Sequence, residues 1–168
     1  MTVEEIYAGR EIVEPEVVIP SDEKLQLVCE AADEMKAQKI TVLDVRGQTI
    51  VADYFIVCSG TSITHIQSIG EGVRDRLRDN SRQRAKPEGD AGSYWIILDY
   101  SDVIMHIFDD ETREFYDLER LWADAKVSHY ENGVLVAAPE TARETDAESV
   151  EQNEVVTHSP HSNASVTM

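Results

Sequence analysis

The chain has 168 residues, and its 42% hydrophobic content is enough for one ordinary domain with a real core and room for tails. A formal net charge of -18 repels phosphate backbones, so direct nucleic-acid binding is disfavoured and basic protein partners are favoured. No apolar run is long enough to span a membrane. The N-terminus carries Glu4 and Glu5 where a basic-then-apolar leader would be needed, so a cytoplasmic protein is expected. Cys29 and Cys58 lie far apart in apolar patterns and read as buried free thiols.

Residues 1–20 are acidic and mixed, with Pro15 and Pro20, and read as a flexible N-terminal arm. Ser21 is placed to cap a helix, with Asp22 and Glu23 at its positive end. Leu25, Val28, Ala32 and Met35 recur at helical spacing and carry that helix to about Gln38. Ile40–Val45 alternates and ends at Arg46-Gly47-Gln48, a strand and turn, while Tyr54–Cys58 is a continuous apolar run suited to a strand buried on both faces. Gly60-Thr61-Ser62 breaks that strand and offers a hydroxyl cap to a helix whose stripe is Ile63, Ile66, Ile69, Val73 and Leu77. The cations from Arg74 to Lys86 gather toward and beyond its end, offset by Glu71, Asp75 and Asp79.

A loop with Pro87, Gly89 and Gly92 leads into Tyr94–Phe108, YWIILDYSDVIMHIF, which reads as a β-hairpin. With Tyr100 and Ser101 as the loop residues, Asp99 faces Asp102, Ile97 faces Ile104 and Trp95 faces His106. One face is then wholly apolar: Tyr94, Ile96, Leu98, Val103, Met105 and Ile107. The other carries Trp95, Ile97, Ile104 and His106, with Asp99 and Asp102 as an uncompensated acidic pair at the tip. Such a face suits a basic partner better than water or a core. Phe115–Trp122 reads as a short closing helix whose Leu118, Leu121 and Trp122 cover the sheet. Residues 129–168 are acidic and poor in large apolar side chains, the composition of a disordered tail, which leaves residues 21–128 as the folded domain. The element order predicts an α/β (α+β) fold, a mixed four- to five-stranded sheet with flanking helices.

Patterns for chemistry are weak. Gly60-Thr61-Ser62 before a helix lacks either glycine-rich phosphate signature. Asp99 and Asp102 follow a glycine-serine turn and a helix in the order a magnesium-dependent nucleotidyltransferase needs. They are not at alternate positions of one strand, however, and Asp44 is only a distant third carboxylate. His65 and His106 do not form a metal-binding pair, and Ser59, Thr61 and Ser62 lack a base. No catalytic residue, metal site or cofactor is assigned.

Three segments, Ala52–Val73, Tyr94–Phe108 and REFYDLERLW at Arg113–Trp122, give the chain a close resemblance to the ribosomal silencing factor family (RsfS, or Iojap), covering about Ser21–Val127. The resemblance implies a nucleotidyltransferase-like fold without catalysis. It also implies a partner, basic large-subunit ribosomal protein fourteen, on the inter-subunit face of the large ribosomal subunit. Docking there blocks joining of the small subunit and lowers translation when nutrients run short; organelle relatives assist large-subunit assembly, and some members form homodimers. Carried over by motif position, the contact residues are Trp95, Asp99, Tyr100, Asp102 and His106, with Ile97 and Ile104 beneath them. Where many members have glycine in the hairpin turn, this chain has Ser101, which a positive φ would disfavour. Silencing, assembly and, as a third reading, magnesium-dependent transfer are the alternatives carried forward.

Overall fold

Local signals decide most element boundaries. In the computed structural model, which describes residues 17–89 and 92–139, the first helix, α1, is Ser21–Glu34. Pro20 occupies the cap position, so Ser21 is the first helical residue instead of the cap, and the helix stops short of Gln38. The second helix, α2, is Ile63–Ser81, and the Ser62 side chain accepts the His65 N–H at 3.1 Å, as its hydroxyl led one to expect. Gly60 is required just before it: a Cβ there would lie 2.8 Å from Ile66 Cγ1. The expected closing helix is two short ones, α3 (Asp110–Tyr116) and α4 (Leu118–Leu121), because Asp117 between them takes a left-handed φ of 44°. Leu118 and Trp122 pack on the sheet, whereas Leu121 is exposed.

The strands are β1 (Gln38–Asp44), β2 (Tyr54–Ser59), β3 (Lys86–Glu88), β4 (Trp95–Asp99), β5 (Val103–Phe108), β6 (Lys126–Glu131) and β7 (Val134–Ala137). They form one seven-stranded mixed sheet in the order β3-β4-β5-β2-β1-β6-β7. Only β2 and β5 run parallel; the other neighbours are antiparallel. The α+β class is the expected one, but the sheet is wider than four or five strands. β3 is three residues with a central proline and shows no alternation to read, and β6 and β7 are largely polar or exposed.

That width corrects the domain end. His129–Ala137, expected in the tail, belongs to the last two strands, because the backbone of β6 pairs with β1 and that of β7 with β6. β6 needs only its backbone to pair with β1, and Val134–Ala137 is itself an apolar run that follows an Asn132-Gly133 turn, a patch too short against the acidic surroundings to suggest a strand. The rest of the expected tail, from residue 140, lies outside the described residues, as do residues 1–16 of the expected arm. The end of that arm is held: the side-chain amide of Gln83 donates to the Val17 carbonyl.

Helices α1 and α2 cover one face of the sheet. Leu25, Val28 and Ala32 of α1 and Ile66, Ile69, Val73 and Leu77 of α2 pack against Val42, Ile56, Leu98, Met105 and Ile107, all buried. Cys29 and Cys58 are free and buried there, and burial pushes both thiols up to about 12. Tyr94, assigned to this face, is exposed instead. At the helix junction His65 bridges the Thr61 N–H and the Met35 carbonyl, 2.9 and 2.8 Å away. The opposite face carries a smaller cluster around Leu43, Phe55, Val57 and Phe108, closed by Leu118 and Trp122.

Candidate functional site

The hairpin forms, in a register two residues from the expected one. Asp99 pairs with Ile104, Ile97 with His106 and Trp95 with Phe108. A shift of two keeps every side chain on its expected face, since faces alternate with period two. What changes is the tip. Tyr100 and Val103 close the ladder, and the Asp102 N–H reaches back to the Tyr100 carbonyl at 3.0 Å across Ser101, whose φ is 71°. The Asp99 carboxylate accepts the Ser101 N–H at 2.8 Å and braces the serine in the conformation it disfavours.

Two of the expected contact residues are engaged elsewhere. Tyr100 is only 3% exposed and packs in the core beneath α1 and α2, with its hydroxyl buried and without a partner. Asp102 does not face Asp99. Its carboxylate accepts from Lys24 Nζ at 2.5 Å, and the same ammonium donates to the Tyr100 carbonyl at 3.1 Å. Lys24 itself is buried, so this pair ties α1 to the hairpin tip. The uncompensated acidic pair is therefore absent. Asp44, the remaining carboxylate of the nucleotidyltransferase reading, is held by Arg46 at 2.8 Å, which pulls its pKa below the usual carboxylate range.

Trp95, Ile97, Asp99, Ile104 and His106 do lie together, each half-buried, on the face away from α1 and α2. The unexpected strand β3 extends this face, with Lys86 opposite Asp99 and Glu88 opposite Ile97. Along the next rows Phe55 lies beside Ile104, and Val57 beside His106. Trp95 and His106 are diagonal neighbours, and the indole Nε1–H donates to His106 Nδ1 at 3.2 Å. Burial of the imidazole pushes its pKa down to about 4, so the ring is neutral and able to accept. Trp95 also stacks on Phe108, with centroids 4.9 Å apart, and on Tyr116 at 4.6 Å. This tryptophan and histidine thus serve packing.

Arg113 fixes α3 over the same face. Its guanidinium donates to the Lys39 carbonyl at 2.8 Å, Ser59 Oγ at 2.9 Å, Thr41 Oγ1 at 3.1 Å and the Glu119 carboxylate at 2.7 Å. Helices α3 and α4 consequently cover only part of the face, leaving its β3–β4–β5 portion open around Ile97 and Asp99. Of the arginine run, Arg76 reaches across to Glu34 and Glu30 of α1, and Arg78 pairs with Asp75 and Asp79. Among the described residues no group of three or more histidine, cysteine or acidic side chains is placed to hold a metal ion.

Comparison with known proteins bears on this arrangement. The family model described as "Ribosomal silencing factor during starvation" matches residues 18–158. The chain belongs to this family. Among curated members, the ribosomal silencing factor of Bacillus subtilis is 36% identical over 110 residues, 66% of this chain and 93% of its own length. The mouse protein named for mitochondrial assembly of the ribosomal large subunit is 33% identical over 89 residues, 51% of this chain and 39% of its own length. A crystal structure of a Chromobacterium violaceum protein superposes with a TM-score of 0.59 at 27% identity, covering 62% of this chain and 88% of its own. A second, from Bacillus halodurans, gives 0.55 at 30% identity, covering 60% and 94%. The silencing-factor model extends past β6 and β7, consistent with both strands belonging to the domain.

Proposed function

We propose that this chain is a ribosomal silencing factor that docks its open β3–β4–β5 face on the large ribosomal subunit and blocks joining of the small subunit by occupying its place. The partner on the subunit is a basic ribosomal protein, large-subunit protein fourteen, as the family resemblance implies. The observation that carries this reading is the open face itself: aliphatic Ile97 and Ile104 beside carboxylates of Asp99 and Glu88, with Lys86 opposite Asp99, in a chain of net charge -18. Apolar side chains supply area, and the acidic field steers a cationic partner while repelling exposed RNA. The names of the bacterial relatives and the family's description support silencing under starvation. No chemical step is involved, and Asp99 is the acidic contact; Asp102 and Tyr100 act behind it by holding the tip.

Co-sedimentation with purified large subunits tests the reading. Ile97→Glu and Asp99→Lys, each on the open face, are expected to weaken binding at least tenfold while the fold persists; wild-type binding by both variants would sink it. The name of the mouse relative favours assembly of the large subunit as a second reading. That role predicts binding to immature large particles and their accumulation when the protein is removed.

A further inference from the structure

Between Arg74 and Lys86 the chain carries six cations against two carboxylates, within a molecule of net charge -18. Arg74 and Arg78 lie one turn apart on α2, Arg82 is its C-cap, and Arg84 precedes Lys86 at the start of β3. All five are exposed and form a basic ridge along that edge of the fold. The dipole of α2 accounts for cations in its last turn, but not for Arg84 and Lys86 beyond it. Both local carboxylates, Asp75 and Asp79, are spent on Arg78. An acidic segment starts beside this ridge. The side-chain amide of Gln83 donates to the Val17 carbonyl, which anchors the chain next to Arg82 and Arg84, the sequence neighbours of Gln83. Val18 and Ile19 then help to wall a cleft of about 500 Å³ that Gln83, Arg84 and Lys86 also line. Residues 1–16, just before the anchor, contain five glutamates and one arginine. Glu14 is three residues from Val17, so its Cα lies within about 11 Å of the anchored one.

We infer that the segment bearing Glu11, Glu14 and Glu16 seats on this ridge as a strap within the same chain and closes it to phosphate backbones. Charge and tether select this occupant. The other acidic segment, beyond residue 139, follows β7 at the opposite edge of the sheet, six strand spacings or roughly 29 Å from β3. RNA or a second copy must approach against the field of the whole chain. Glutamates tethered at Val17 face no such approach and are held at high effective concentration. The strap also explains how a chain with so dense a basic run can stay indifferent to RNA. Its seating is independent of what the open sheet face binds.

The test uses the full chain in two arms. In the first, zero-length carbodiimide cross-linking is read by mass spectrometry, and Lys86 is expected to link to Glu11, Glu14 or Glu16 of its own chain. In the second, the combined variant Glu11→Gln, Glu14→Gln and Glu16→Gln is titrated with a fluorescent single-stranded RNA at low salt. Its affinity should rise roughly tenfold over wild type and fall back when Arg84→Gln and Lys86→Gln are added. Arg84 and Lys86 are exposed, so melting temperatures should stay near wild type. Removing the same charge elsewhere, by Glu148→Gln, Glu151→Gln and Glu154→Gln, should change RNA affinity about twofold or less. Links of Lys86 only to residues beyond 139 or to a second copy, or no link to the three glutamates, overturn the strap. So does an RNA affinity that the first triple leaves unchanged, or that both triples raise equally.

Discussion

The two faces of this sheet are built from alternate residues of the same strands but are finished differently. One is sealed by α1 and α2 and contains only buried apolar side chains at its centre, such as Ile56, Met105 and Ile107. The other is partly roofed by two short helices and leaves Ile97, Asp99, Ile104 and His106 half-buried. A long amphipathic helix covers a sheet strip end to end; a seven-residue helix pinned by one arginine does not. The difference is between a face sealed along its length and a face buried only where α3 and α4 reach.

Substitutions can break or sharpen that contrast. Ile56→Ala, on the sealed face, should cost about 3–4 kcal/mol, because a fully buried side chain leaves a cavity; chemical denaturation reads it. Arg113→Ala should cost about 2–3 kcal/mol, since Glu119 and the Ser59 hydroxyl lose a buried donor. A loss below 0.5 kcal/mol would show that α3 is held by its aromatic contacts alone.

The half-open face has its own pH signature. The His106 pKa is depressed in the folded state to about 4, so unfolded protein takes up this proton first as pH falls. The stabilising contribution is complete above roughly pH 6.5 and is lost progressively toward pH 4. Between those limits wild type should lose up to roughly 3 kcal/mol more than His106→Phe. Parallel curves would mean that the imidazole is better solvated than its contacts with Trp95 and Phe55 imply.

Smaller effects are expected at the open end. Ile97→Glu should change stability by about 1 kcal/mol or less while weakening subunit binding as described above. A comparable loss in Ile56→Ala at temperatures where it stays folded would erase the distinction between the faces. Ser101→Gly should add about 0.5–1 kcal/mol of stability, by relieving its positive φ of 71°.

Sequence patterns alone disclosed the two long helices, the doubly buried strand β2, the hairpin and the division of its side chains between two faces. These depend on periodicity and caps, which are local. The face assignment survived a register error of two because parity, not pairing, decides it. Local patterns could not say that Lys24, far away in the chain, would neutralise Asp102, or that Tyr100 would turn inward. They also missed β3, β6 and β7: β6 joins the sheet by pairing with β1, distant in sequence, while β3 and β7 are short, largely exposed strands that pair with their neighbours β4 and β6. Tyr94 read as core and Phe115 and Tyr116 carried no assignment, yet all three are left in solvent beside the short α3. Composition and periodicity therefore determined what the chain could bury; tertiary pairing decided which charges stay unpaired on the surface and which are neutralised, as Asp102 is by Lys24, because burial and neutralisation depend on residues that only the fold brings together.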